Sequence, residues 1–338
     1  MTAPESNAAR SRLPADVPLR DRFVGCLLGC AVGDALGAPF EGLWARSIPD
    51  ESALLSAFAE FEGYPSGQFT DDTQLTVATV RSVVATGGVS PDHVARSIFG
   101  LFKRQEVIGP GGACMAAAAN FLRTRDATTC GAEPGQAGNG AAMRTAALGL
   151  AFLDRPDELP ESVASVSRIT HRDPRSVAGG VAVAKAAQLL ASAPETDPVA
   201  LCQVIAAVVD RFSPEFADWI VRLPGLVCAP AESAAPVLAW AGMPAPELDA
   251  PIITPFVIPT VLASLWCLLR NRDSWPGAVA AAIRLGGDVD TLGAIVGALA
   301  GVRHGVGAIP AHLREGVQQG RELEALAVRY HALVARSV

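Results

Sequence analysis

Four glycines spaced every fourth residue, Gly25, Gly29, Gly33 and Gly37, run through the most apolar stretch of the chain, Phe23 to Phe40. On an α-helix, residues four apart share a face, so these glycines form a smooth ridge with no side chain to hold a neighbour off. A second helix can approach that ridge backbone to backbone, which places this helix at the centre of the fold. The rest of its surface is apolar too, with Phe23, Leu27 and Ala31 on the opposite stripe and Val24, Leu28, Val32 and Leu36 alongside. Such a helix belongs inside a large bundle. Asp34 is the anomaly within it. With that carboxylate and four glycines the segment falls short of the ~20 uninterrupted apolar residues of a membrane span, so a buried core helix and no membrane association are expected.

The 338 residues are 50% hydrophobic and only 18% charged, against a usual charged share of about 25%, so the chain can bury a large core. The apolar mass is mostly Ala, Leu and Val, which suits closely packed helices. Apolar residues at helical spacing predict further helices at Thr73 to Val84, Pro91 to Arg104, Ala113 to Arg125, Ala141 to Leu153, Pro174 to Ala191, Pro198 to Arg211, Pro255 to Arg270, Pro276 to Leu285 and Thr291 to Val302. A last one, Ala311 to Ala335, is expected to break near Gly320. Ser90, Asp173 and Asp197 precede prolines at helix starts, the usual N-cap and first-turn chemistry. Period-two strands are scarce. The expectation is a compact all-α domain over residues 20–338 behind a disordered tail, residues 1–19, with Val227 to Ala250 a loop or a short-helix insertion.

A net charge of −7 argues against general nucleic-acid binding. The only lysines, Lys103 and Lys185, do not follow a glycine, so the phosphate-binding loop of Walker-type ATPases is excluded. Seven irregularly spaced cysteines make no disulfide framework and fit a reducing cytoplasm; the N-terminal stretch lacks the pattern of a signal peptide, and a soluble monomer is expected.

Two acidic clusters sit inside otherwise apolar, helix-forming sequence: Thr70-Asp71-Asp72-Thr73 and Asp288-Val289-Asp290-Thr291. After Asp290 no acidic residue follows until Glu315, so these are not part of a solvated charge pattern. Thr70 and Asp288 or Asp290 could simply be helix N-caps. Capping needs one side chain, however, and adjacent carboxylates raise each other's pKa, so a cation should offset them. An all-oxygen set of carboxylates and Thr hydroxyls, with Glu41, suits a pair of hard ions such as Mg²⁺, Mn²⁺ or Ca²⁺ and not zinc. Gly109-Pro110-Gly111-Gly112 and Gly138-Asn139-Gly140 each precede a helical pattern; they read equally as turns or as loops offering backbone amides to an anion. His171, in Thr170-His171-Arg172-Asp173, lies between two helices, where it is as readily a surface residue as a ligand contact.

Taken in order, Gly33-Asp34-Ala35-Leu36-Gly37-Ala38-Pro39-Phe40-Glu41, Phe69-Thr70-Asp71-Asp72-Thr73-Gln74, Gly138-Asn139-Gly140-Ala141-Ala142-Met143-Arg144, Thr170-His171 and Gly286-Gly287-Asp288-Val289-Asp290-Thr291 resemble the motifs of the ADP-ribosylglycohydrolase family. The resemblance runs from about Arg20 to Gly320. It implies a compact all-α domain with two divalent ions, Mg²⁺ or Mn²⁺, at the floor of a cleft. Thr70, Asp71, Asp72, Asp288, Asp290 and Thr291 would be their ligands, and Glu41, Asp71 and Asp288 the catalytic carboxylates. Asp34 would orient ligands from behind. Gly109, Gly111 and Gly112 would cradle a pyrophosphate, and Asn139, Gly140 and His171 would line an ADP-ribose groove. The implied reaction is hydrolysis of the C1″ bond joining ADP-ribose to a protein side chain or a small molecule. A catalytically silent ADP-ribose binder and a metal-dependent nucleotide phosphohydrolase are the alternatives. Gln136-Ala137 and Val302-Arg303 depart from the family pattern and leave the acceptor contacts open.

Overall fold

The computed structural model describes residues 16–61, 63–243 and 251–336. Among them sixteen α-helices and several short 3₁₀ turns account for the regular structure, and no strand forms, only isolated bridges. The expected tail falls almost wholly on residues 1–15, outside the described part, and the first helix already begins at Leu19. The end of the Val227 to Ala250 stretch, residues 244–250, lies outside it as well.

Helix α1, Leu19–Gly37, is buried from Arg22 to Gly37 and sits against α14, Val289–His304, which is buried from Val289 to Arg303. The glycine ridge meets a second one. A Cβ on Gly25 would lie 2.3 Å from the Gly301 carbonyl oxygen, on Gly29 2.1 Å from that of Gly297, and on Gly33 2.0 Å from that of Gly293. The two backbones therefore touch along three turns, and the glycines of α14 recur with the same four-residue spacing. The segment 19–40 is long and apolar enough to cross a membrane, contrary to the expectation that it falls short; its burial within the bundle is what marks it as a core helix.

Around this pair run α3 (Asp71–Thr86), α4 (Pro91–Arg104), α5 (Gly112–Thr124), α8 (Pro174–Ser192), α9 (Pro198–Val209), α12 (Val257–Arg270), α13 (Trp275–Ile283), α15 (Ala311–Gly316) and α16 (Gly320–Val334). These match the expected helices to within a few residues, including the break before Gly320. Capping explains several starts: Ser90 Oγ accepts from the His93 amide, Asp173 from Arg175, and Asp197 from Val199 and Ala200.

One expected helix does not form. Ala141 to Leu153 is not a continuous helix but a 3₁₀ turn at Ala142–Arg144, one α-turn at Ala146–Gly149 and another 3₁₀ turn at Leu150–Phe152. Side chains pull this backbone outward: the Thr145 hydroxyl donates to the carbonyls of Ala142 or Gly180, and Arg144 reaches the Gly140 and Val166 carbonyls. Three helices were not foreseen, at Glu51–Leu54, Leu159–Arg168 and Pro214–Cys228, and the helix Ala231–Ala239 realises the short-helix alternative for the Val227 to Ala250 stretch. Pro214–Cys228 carries Pro224 in its interior, which hides it from a reading that takes proline as a stop.

Candidate metal centre and substrate cleft

Both acidic clusters open helices, and neither caps its own. Thr70 holds the N-cap position of α3 and Asp288 that of α14, yet neither makes a side-chain capping bond. Capping of α3 is delegated to Asp34 on the core helix. Its Oδ1 accepts from the Thr70 hydroxyl at 2.9 Å, its Oδ2 from the Thr73 amide at 3.0 Å and hydroxyl at 2.6 Å, and both oxygens face the Thr70 amide. The anomalous carboxylate of α1 is thus a clamp that fixes where α3 begins. Burial pushes its pKa up to about 7, with the Asp290 charge adding to the rise and the Thr73 and Thr70 bonds opposing it.

With α3 capped from outside, its own acids are left for another use. Asp72 Oδ2 faces the hydroxyls of Thr70 at 3.4 Å and Thr291 at 3.3 Å, which joins the two clusters across the fold. Asp288 accepts a short bond from the Asn139 amide, whose nitrogen also donates to Thr260 Oγ1 at 3.1 Å. Thr70, Asp71, Asp72, Asp288, Asp290 and Thr291 are all buried. Asp72 Oδ1 and Asp290 Oδ1 are buried with no hydrogen-bond partner among the described residues. None of these aspartates has an ion pair there either, and Asp71, Asp72 and Asp290 are pushed well above the carboxylate range by burial and then by one another's charges; Asp288 rises as well, chiefly through burial. Oxygens of Glu41, Asp288 and Asp290 lie within 4.8 Å of one another. Converging buried carboxylates with orphaned oxygens are costly unless a cation compensates them, and an all-oxygen donor set fits a hard divalent ion.

Glu41, exposed just past the 3₁₀ turn Ala38–Phe40 that follows α1, is held beside this cluster by a glycine pair. Gly287 donates to the Leu43 carbonyl and accepts from Gly42, while Asp288 donates to Ile253. Gly286 and Gly287 have φ of +79° and +90°, and a Cβ on Gly287 would lie 2.0 Å from the Ile253 oxygen. Only glycine fits where these three strands of chain cross.

The acids floor a cavity of about 160 Å³ whose walls include Glu41, Asn139, Gly140 and His171 and whose rim includes Gly109, Gly111 and Gly112. Every sequence-predicted site residue except Thr70 lines it, and Thr70 sits directly behind. Gly111 and Gly112 have neither a positive φ nor an atom within 4 Å of where a Cβ would be, so nothing inside the protein asks for glycine there. The loop is tethered by Gln74: its Oε1 accepts from the Ile108 amide at 2.9 Å and its Nε2 donates to the Glu106 carbonyl at 2.9 Å. Gly138-Asn139-Gly140 leads into a 3₁₀ turn and not a helix, so a helix dipole does not serve that segment. His171 packs against it, with burial and then the Arg144 charge lowering its pKa to about 3. Gln74, Thr260, Arg144 and the 252–256 segment are participants that sequence reasoning missed; Gln74 and Arg144 stood inside quoted motifs, while the rest carried no local signal. Beyond Pro255 a second cavity of about 400 Å³ is lined by Trp240, Met243, Phe256 and Arg175, whose guanidinium sits 5.4 Å from the Phe256 ring centre and is gripped by Asp173.

A helical bundle whose central helix clamps a cluster of buried acids at the floor of a cleft has the frame of an all-α enzyme with a candidate metal centre. The profile described as ADP-ribosylglycohydrolase matches residues 15–337. The chain is 33% identical over 160 residues to the ADP-ribosyl-[dinitrogen reductase] glycohydrolase of Rhodospirillum rubrum, a match spanning 47% of this chain and about half, 54%, of that one. It is 25% identical over 370 residues to the ADP-ribosylhydrolase ARH3 of Gallus gallus, covering 100% of both. A solved structure described as an ADP-ribosylglycohydrolase-related protein complex superposes with a TM-score of 0.73 at 27% identity, covering 94% of this chain and 99% of that one. The chain belongs to the ADP-ribosylglycohydrolase family.

Proposed function

We propose that the protein hydrolyses the C1″ glycosidic bond between an ADP-ribosyl group and its acceptor, using two divalent ions, Mg²⁺ or Mn²⁺. The observation that carries the reading is the pair of buried, unpartnered oxygens, Asp72 Oδ1 and Asp290 Oδ1, at the floor of a cleft rimmed by open glycines. Thr70, Asp71, Asp72, Asp288, Asp290 and Thr291 would hold the ions. When bound, such ions supply charge that orients sugar hydroxyls and acidifies a water molecule.

The chain's own groups do the rest. A 160 Å³ cavity admits a sugar ring but is well below the ~300 Å³ of a drug-sized pocket, so only the reacting ribose enters it. Its diphosphate would run over the backbone of Gly109, Gly111 and Gly112, and the flat base would reach the cavity between Trp240 and Phe256. Glu41, exposed at the mouth beside Asp288, would take a proton from the attacking water as the water oxygen bonds to C1″, and would hand it to the departing oxygen or nitrogen of the acceptor as the C1″ bond to it breaks. The Asn139 amide keeps Asp288 turned toward the floor. All seven cysteines are free, six of them buried, which supports a reducing compartment such as the cytoplasm as its place of action.

Incubation with arginine-linked and serine-linked ADP-ribosyl peptides, reading released ADP-ribose by mass spectrometry, tests the proposal and selects the acceptor. Release that stops with EDTA and returns with Mg²⁺ or Mn²⁺ is expected. Metal-independent release, or none from any ADP-ribosyl conjugate, overturns it.

A further inference from the structure

Behind the cleft lies a line of three buried side chains whose hydrogen-bonding roles can be worked out one after another. Arg144 is fully buried and has no acidic partner among the described residues; desolvation lowers its pKa to about 10, which leaves it charged at neutral pH. A guanidinium only donates. Its Nε donates to the Gly140 carbonyl at 3.2 Å, and its Nη2 to the Val166 carbonyl at 3.1 Å and to Thr170 Oγ1 at 2.8 Å. Thr170 Oγ1 is therefore an acceptor toward Arg144 and has one proton left to give.

Two acceptors compete for that proton: His171 Nδ1 at 3.0 Å and the Ser167 carbonyl at 3.5 Å. The carbonyl already receives the Thr170 amide at 3.2 Å and the His171 amide at 3.0 Å, so both its lone pairs are in use. The proton goes to Nδ1. An imidazole that accepts at Nδ1 and is neutral must carry its hydrogen on Nε2. His171 Nε2 has no protein partner among the described residues, and its ring lines the cavity, with Nε2 3.1 Å from where a Cβ on Gly138 would lie and Cε1 2.8 Å from one on Gly140. That explains why both positions are glycine: a side chain on either would displace the ring.

We propose that Arg144 and Thr170 are positioning residues that fix His171 as its Nε2–H tautomer, so that the cleft presents a neutral, permanent hydrogen-bond donor to an oxygen of the ligand. The site would favour a group that can only accept there, such as a phosphate or sugar oxygen, and would reject an ammonium or amide N–H at the same place, because neither side could accept. The identity of the ligand as an ADP-ribosyl group rests on the function proposed above; the tautomer does not.

The two are separated by one set of measurements. In protein labelled with ¹⁵N at histidine, long-range ¹H–¹⁵N spectra at pH 7, with His171 assigned from H171Q, should give a pyridine-like Nδ1 and a pyrrole-like Nε2. Thr170→Val keeps the shape and removes the hydroxyl, and should release the ring into a mixture of tautomers; Thr170→Ser should restore the single form. Calorimetry with ADP-ribose should show a loss of about five- to tenfold in affinity for Thr170→Val and recovery in Thr170→Ser, the size of one neutral hydrogen bond. A wild-type Nδ1–H form overturns the proposal, as does a tautomer unchanged in Thr170→Val. An affinity for ADP-ribose that is measurable and equal in both variants overturns the donor role. If wild type holds the Nε2–H form and ADP-ribose does not bind at all, the function proposed above fails while the assignment of the tautomer stands.

Discussion

The same substitution, Gly to Ala, should have opposite signs at two helical positions. In a helix interior it gains about 1 kcal/mol from propensity alone. At Gly33 the new Cβ would sit 2.0 Å from the Gly293 oxygen and 2.5 Å from its carbonyl carbon, where an ordinary C···O approach is about 3.3 Å. The obstacle is backbone, so no rotamer change can clear it, and α1 and α14 must part by about 1 Å. A gap of that size costs their facing atoms about a quarter to a half of their dispersion energy, and with a backbone obstacle the overpacking cost is set at roughly 3 kcal/mol, the top of the usual range. After the propensity gain, a net loss of about 2 kcal/mol is expected. Gly225 lies on an exposed part of its helix with nothing within 4 Å of the Cβ position, so Gly225→Ala should gain up to about 1 kcal/mol. Urea unfolding followed by far-ultraviolet circular dichroism would resolve both from shifts in midpoint at constant slope. The reasoning fails if Gly33→Ala matches or exceeds wild-type stability, since the backbone contact would then carry no cost.

Three more expectations concern the cleft. Asp34 and its neighbours have raised folded-state pKa values, so the metal-free fold binds more protons than the unfolded chain, and stability in EDTA should fall as pH rises from about 4, the unfolded value, through about 7. Excess Mg²⁺ should flatten that fall; melting curves in the two buffers at pH 5 and pH 8 make the comparison. Asp72→Asn removes one buried charge and should raise the melting temperature in EDTA by a few degrees, while Mg²⁺ no longer stabilises and ADP-ribose release drops at least a hundredfold, to be read by differential scanning fluorimetry beside the peptide assay. Gly111→Val has open space and an extended backbone to occupy, so its stability should stay within ~0.5 kcal/mol of wild type while affinity for ADP-ribose, measured by calorimetry, falls more than tenfold.

The core helix was legible because its signal is local: a four-residue glycine period inside an apolar run marks a helix that packs backbone to backbone, although the same pattern suits a membrane helix and burial in the fold decides between them. Its partner ridge, Gly293, Gly297 and Gly301, was equally present in the sequence, but only the fold shows that the two face each other. The acids stood out because carboxylates are rare in apolar helical sequence. What local reading gets wrong there is their capping role, since the cap of α3 comes from Asp34, remote in the chain. The break-up of 141–153 was invisible for the same reason: Ala-rich sequence favours a helix, and the bonds that override it are made to Gly180 and Val166. The 252–256 segment had no pattern of its own, yet it carries the Pro255 carbonyl that receives the Asn139 amide and so sets one wall of the cleft.

Because α1 and α14 touch through their main chains, the ends that bear Asp34 and Asp288 to Thr291 cannot slide or splay independently of each other. Evolutionary change that retunes what this enzyme accepts is thereby steered away from the floor and into the pieces resting on it, at 105–112, 133–140 and 252–256. The side chains of those segments can change one at a time, and the chemistry underneath would be inherited intact so long as the Asn139 amide and the main-chain bonds from Asp71 to Ile108 and from Asp288 to Ile253 are kept.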